Sequence, residues 1–190
     1  MNRILAAVLL TASLLSAQEF RVGSKVTDFP LKTLNDSPAK FASLKGDVTV
    51  VMFVSAQCPV SNAYNERMNA LYKDYSPKGV HFIAINSNST EPVSWVSSHA
   101  KESSFNFPVY KDWNNVVADQ FGATATPETF VIDRAGIIRY HGSIDDSQKV
   151  SGIKTQRLRL ALDAVMAGKE PPQTETKAFG CSIKRVRSTE

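Results

Sequence analysis

Whatever thiol chemistry this sequence performs rests on two cysteines. Cys58 lies in "SAQCPVS", with Ser55 three residues before it, Pro59 beside it and Ser61 three residues after; Cys181 lies in "FGCSIKR" near the C-terminus. A cysteine can act as a nucleophilic thiolate, as half of a disulfide or as a small apolar residue, and spacing alone leaves all three open for Cys58. At a helix start, free amide hydrogens and the positive end of the helix dipole favour the thiolate, and Ser61, one turn on, is placed to donate a hydrogen bond to it. Burial acts the other way. Ser61 also stands where a Cys-x-x-Cys pair would have its second cysteine, so the adjacent dithiol is missing. The histidines His81, His99 and His141 are far apart; no zinc-type ligand set can be read from that spacing, and neither metal nor cofactor is expected.

The elements around Cys58 are those that would hold it at such a junction. "VTVVMFVSA" (48–56) is nearly all apolar and β-branched, the pattern of a strand buried on both faces. Beyond Cys58 the period becomes helical, through Val60, Tyr64, Met68, Leu71, Tyr72 and Tyr75, until Pro77 and Gly79 stop it. "VHFIAINSN" reads as a second buried strand, "EPVSWVSSHA" as a helix with Pro92 in its first turn, and "FPVYKDWNNVVADQFGA" as a short strand and a helix ending near Gly122. "PETFVID" and "GIIRYHG" form a hairpin through Asp133 to Gly136. A last amphipathic helix spans about 152–167 with Ile153, Leu158, Leu162, Val165 and Met166 inward and Gly168 as its stop. Upstream, "VTDFPLKTLNDSPAKFASLKGD" reads as a hairpin and loop. The alternation predicts an α/β sheet with helices on both faces, to which the hairpins add antiparallel strands.

At 190 residues, 43% hydrophobic and 21% charged, the chain has material for one well-filled core and is short for two. Three segments are expected: residues 1–17 as a signal peptide, 18–170 as the domain, and 171–190 as an irregular tail that carries Cys181. Asn2 and Arg3 precede an apolar run from Ile4 to Leu15 and the small residues Ser16 and Ala17, the layout of a secretory leader. Its removal leaves no stable membrane span. An exported, periplasmic or extracellular protein is a setting in which disulfides persist. The net charge of +4 is mild, and no aromatic residues alternate with the dispersed basic ones, which argues against a nucleic-acid partner. Asn88-Ser89-Thr90 is a glycosylation sequon, a triplet that also arises by chance.

A buried strand leading to a cysteine at a helix start, followed by "ATPETFVID" with Thr126-Pro127, resembles the thioredoxin-like superfamily, in particular the exported TlpA-type and AhpC/TSA-type redoxins. The resemblance spans about residues 24–168 and implies a thioredoxin-like fold: a central mixed sheet with helices on both faces and an N-terminal hairpin. It also implies that Pro127 is cis beside Cys58, that Thr126 offers its backbone to an incoming peptide or thiol, and that Pro59 borders the same substrate site. The chain departs from the pattern at Ser61, at Ser55-Ala56-Gln57 where a tryptophan-rich stretch is usual, and at Val51 where peroxiredoxins carry a proline.

A lone thiolate that attacks a disulfide needs a second thiol to resolve the product, and Cys181 is the candidate within the chain. The even cysteine count leads to the expectation that Cys181 folds back onto Cys58, with Phe179 and Ile183 docking the tail and Gly180 allowing a turn. The leading functional reading is an exported thiol-disulfide oxidoreductase acting on protein disulfides or small thiols, with catalytic Cys58, Ser61 and Cys181 and substrate contacts at Thr126, Pro127 and Pro59. One alternative is a peroxidase in which Ser55 and Cys58 bind hydrogen peroxide. Another is a copper-binding module using Cys58, Cys181 and His141, since soft thiolates suit Cu(I). A third is a redoxin without turnover that serves partner contacts.

Overall fold

The computed structural model describes residues 20–187, so the expected leader at residues 1–17 lies outside the described residues. In chain order come strands β1 (Pro30–Thr33) and β2 (Pro38–Lys40), the single-turn helix α1 (Phe41–Leu44), β3 (Val48–Phe53), helices α2 (Pro59–Asn62) and α3 (Asn65–Tyr75), and β4 (Val80–Asn86). Then follow α4 (Val93–Glu102), β5 (Val109–Lys111), α5 (Val116–Gln120), β6 (Ala125–Thr126), β7 (Glu128–Ile132), β8 (Ile138–Gly142), α6 (Arg157–Met166) and β9 (Cys181–Ser182). Seven strands form one mixed sheet in the order β2-β1-β5-β4-β3-β7-β8, in which β3, β4 and β5 run parallel and the other neighbours antiparallel. This is the expected mixed sheet with its N-terminal hairpin, and β6 and β9 pair separately.

All six residues of β3 are buried, as a strand covered on both faces requires. Alternate residues serve opposite cores. Val50 and Met52 join Met68 and Leu71 of α3 and Leu158 and Leu162 of α6. Val51 and Phe53 join Phe29, Phe41, Val117, Phe121 and Phe130 on the other side. Each such side chain contributes about 1.5–3 kcal/mol on burial, so two opposed faces hold the strand that leads to Cys58. Among the described residues no helix is long and apolar enough to cross a membrane.

Two helices differ from the sequence pattern. The run beyond Cys58 is broken between α2 and α3, where Tyr64 N–H donates to the Ser61 carbonyl (3.0 Å) in a tight turn. The Tyr64 ring is buried, its hydroxyl donates to Asp145 and to the Ser147 carbonyl (both 3.0 Å), and the Arg67 guanidinium lies 3.5 Å from the ring centre. The last helix starts at Arg157, because Asp146 accepts the amides of Lys154 and Thr155 (2.9 and 3.1 Å) and holds them in a loop. Ile153 therefore precedes the helix, and Met166 is 38% exposed.

After α6 the chain returns across the sheet edge. His141 N–H donates to the Thr174 carbonyl and Thr176 N–H to the His141 carbonyl (both 2.9 Å). Thr176 lies so close over Gly142 that a Cβ there would overlap its hydroxyl and carbonyl oxygens. Phe179 meets the Tyr64 ring edge-on, and β9 follows. Residues 174–187 thus form a mostly irregular strap that is hydrogen-bonded to the domain at 174–176 and 181–186.

Candidate redox site

Cys58 and Cys181 are joined in a disulfide, with 5.8 Å between their Cα atoms. Cys58 is the N-cap of α2, in extended conformation, and Pro59 fills the first helical position, where its missing N–H costs nothing. The Cys58 sulfur accepts a hydrogen bond from the Ser61 backbone N–H (3.2 Å) and lies 3.4 Å from the Thr126 carbonyl oxygen. Only 4% of Cys58 is exposed, whereas Cys181 is partly exposed and Pro59 and Gln57 are exposed at the rim. Ser61 therefore reaches the sulfur through its amide, while its hydroxyl accepts from the Ser55 N–H (3.2 Å).

The segment before Cys58 is organised by a residue that sequence reasoning missed. Glu91, 3% exposed, accepts from the Ser55 hydroxyl (2.5 Å), the amides of Ala56 (2.9 Å) and Gln57 (3.1 Å), and the side-chain amides of Asn86 (2.5 Å) and Asn88 (3.1 Å). Burial alone would push its carboxyl upward, but these donors outweigh burial and hold Glu91 below the ordinary carboxylate range. Behind it the buried Lys111 ammonium donates to Asn86 Oδ1 (2.6 Å) and to the carbonyls of Asn88 (2.7 Å) and Glu91 (2.8 Å). Burial pulls Lys111 downward, opposed by the charges of Glu91 and Asp112. Asp112 in turn accepts the Val117 and Ala118 amides at the start of α5. Asn88, whose side chain is buried on Glu91, is not displayed as a glycosylation site would be.

The opposite wall is the segment 124–127. The Thr126-Pro127 bond is cis, and both residues are buried. Glu128, 2% exposed, takes the amides of Thr124 (2.8 Å) and Ala125 (2.9 Å) on one carboxylate oxygen and contacts His141 Nε2 (2.6 Å) with the other. The His141 ring stacks on Phe130 at 4.2 Å. This carboxylate, like Glu91, is absent from the sequence-based expectations, although a glutamate opening the strand "ETFVI" was a usable signal, because a buried strand charge demands partners.

The fold brings Cys58, Ser55, Ser61, Pro59, Thr126, Pro127 and Cys181 around one point. The Ser55 hydroxyl, however, is turned to Glu91 and accepts the Cys58 N–H (3.0 Å); it shapes the turn, and the peroxide-binding role is not supported. His141 is engaged by Glu128, and among the described residues no three His, Cys, Asp or Glu side chains gather as a metal site.

Residues 22–141 match the AhpC/TSA family model. The chain is 29% identical over 122 residues to a protein named thiol-disulfide oxidoreductase ResA from Halalkalibacterium halodurans, covering 64% of this chain and 68% of that one. An uncharacterised conserved protein from Geobacillus kaustophilus has a crystal structure that superposes with a TM-score of 0.82 at 32% identity, over 90% of this chain and 95% of that one. A putative thiol:disulfide interchange protein DsbE from Chlorobium tepidum shares the fold, with a TM-score of 0.58 at 22% identity over 65% of this chain and 85% of that one.

Proposed function

The chain belongs to the AhpC/TSA family, and from that premise we propose that it is an exported thiol-disulfide oxidoreductase that cycles the Cys58–Cys181 pair. The observation that carries this reading is the covalent link between a helix-capping cysteine and a strand lying on Thr126, beside the cis-proline. In the reduced protein, the Cys58 thiolate accepts the Ser61 N–H and attacks one sulfur of a substrate disulfide. A Cys58–substrate bond forms, the substrate S–S bond breaks, and the departing sulfur leaves as a thiolate that takes a proton from solvent. Cys181, as thiolate, then attacks the Cys58 sulfur, forms the observed disulfide and releases the second substrate thiolate. The substrate disulfide has gained two electrons and the cysteine pair has lost two. A dithiol donor, protein or small molecule, returns the pair to its reduced form by the same exchange in reverse.

Export is supported by the apolar run from Ile4 to Leu15 behind Arg3. The test compares wild type, Cys58→Ser and Cys181→Ser in dithiol-driven reduction of insulin disulfides. Cys58→Ser is expected to fall to background, and reduced Cys181→Ser, mixed with insulin after the dithiol is removed, to halt as a mixed disulfide visible as a mass increment. Full turnover by Cys58→Ser would overturn the reading. So would a reduction potential below about −300 mV, the range of structural disulfides.

A further inference from the structure

The strap lies on the site as a peptide ligand would. Cys181 and Ser182 pair antiparallel with Thr126 and Ala125, and Ile183 N–H donates to the Thr124 carbonyl (2.9 Å). Beyond that three contacts are made to strap backbone: Asn88 Oδ1 accepts the Lys184 N–H (2.7 Å), Ser89 N–H donates to the Lys184 carbonyl (2.9 Å), and Asn115 Oδ1 accepts the Val186 N–H (2.8 Å). Main-chain pairing at an edge, with a few side chains selected, is how extended peptides are recognised by strand addition. Two positions are selective by fit. Gly180 passes over Thr126 so closely that a Cβ would overlap the Thr126 carbonyl oxygen. Ile183, 6% exposed, is buried in the core cluster that contains Phe121 and Ala123. The side chains of Ser182 and Lys184 belong to exposed residues, whereas the Arg185 guanidinium donates to the Ala123 carbonyl (2.6 Å) and pairs with Asp119 (3.3 Å).

We propose that the strap is an in-cis stand-in for the substrate. In the reduced protein its track along Thr124–Thr126, Asn88–Ser89 and Asn115 accepts a cysteine-bearing extended segment of another polypeptide, with glycine before the cysteine and an aliphatic residue two positions after it. This rests on the oxidoreductase reading and adds to it the substrate's sequence pattern and the order of events. Cys58 attacks the disulfide in which the substrate cysteine is held, expels the partner sulfur as a thiolate, and keeps the substrate cysteine at the place Cys181 occupies in the oxidised form. Attack by Cys181 on the Cys58 sulfur then breaks the mixed disulfide, and the returning strap reclaims the track, so the reduced substrate is displaced by the segment it resembles. Because the strap is tethered, it competes at an effective concentration in the millimolar range.

The test uses the reduced full chain carrying Cys181→Ser and synthetic peptides of residues 178–187 whose cysteine is joined to glutathione. Coupling of peptide to Cys58, with glutathione as the leaving thiolate, is followed by mass. The native peptide is expected to couple about tenfold or more faster than peptides carrying Gly180→Ala or Ile183→Asp, and adding Gly180→Ala to the protein should speed coupling by loosening its own strap. Equal rates for the three peptides, with glutathione disulfide reacting normally, would overturn this inference alone. Disulfide-linked dimers of wild type forming in preference to peptide coupling would give the track to a second copy and overturn it as well. Failure of Cys58 to react with any of these disulfides, glutathione disulfide included, would instead bring down the oxidoreductase reading and this inference with it.

Discussion

The two walls that meet at the disulfide are each braced by a buried glutamate, but the bracing differs in kind. Glu91 faces five donors, none of them titratable. Glu128 faces two amides and His141, and an imidazole can exchange donor for acceptor by changing tautomer. The first wall carries Cys58 and is fixed by five charge-assisted bonds. The second carries the edge on which the strap lies, and its support can adjust. In the proposed cycle the nucleophile gains from a fixed position, whereas an edge that holds the strap and the substrate in turn gains from tolerance.

The largest expected effect separates covalent from non-covalent hold on the strap. The cysteines are 123 residues apart in sequence, and the chain-entropy relation gives about 5 kcal/mol for a loop of that size. Denaturant unfolding with and without reductant should show a loss of that order; a loss under about 1 kcal/mol would mean that the strap's hydrogen bonds already hold it and the bond adds little.

Next, Glu91→Gln turns a donating amide toward a shell made of donors. We expect about 3 kcal/mol of destabilisation, measurable by the same unfolding experiment, and slower coupling at Cys58. The loss should depend on pH. Because the folded Glu91 carboxyl sits below its ordinary value of 4.5, its stabilisation is fully present above that value and is lost as pH falls through the folded one. The gap between wild type and Glu91→Gln should therefore narrow in acid; a gap that stays constant down to low pH would remove ionisation from the account.

The smallest effect is expected for Glu128→Gln. The glutamine oxygen can keep the Thr124 and Ala125 amides, while its nitrogen donates to His141 in the accepting tautomer, so about 1 kcal/mol or less should be lost. An equal loss at both glutamates would erase the contrast between the walls.

Much of the framework was legible beforehand because it is local. The apolar run at 48–53 buried on two faces, the helical period after Cys58 and the hairpin through Asp133–Gly136 are patterns of neighbouring residues, and each formed its element. Pro59 behind Cys58 marked the helix start. The break at Tyr64 was hidden because its cause is distant: Asp145 lies 81 residues on. The late start of α6 was hidden for a related reason, since the Asp146 carboxylate that detains Lys154 and Thr155 leaves no trace in the hydrophobic period.

By itself the sequence determined the alternation of strands and helices, the place of Cys58 at a strand-to-helix junction, and an even pair of cysteines. Tertiary structure alone decided that Ser61 serves the sulfur with its amide, that Ser55 belongs to Glu91, and that residues 180–186 lie along the Thr126 edge. The physical reason is the range of the interactions. Hydrophobic periodicity is written within a few residues, whereas a buried carboxylate finds donors wherever the topology delivers them, here 36 residues from Ser55 to Glu91, and nothing adjacent in the chain records the meeting.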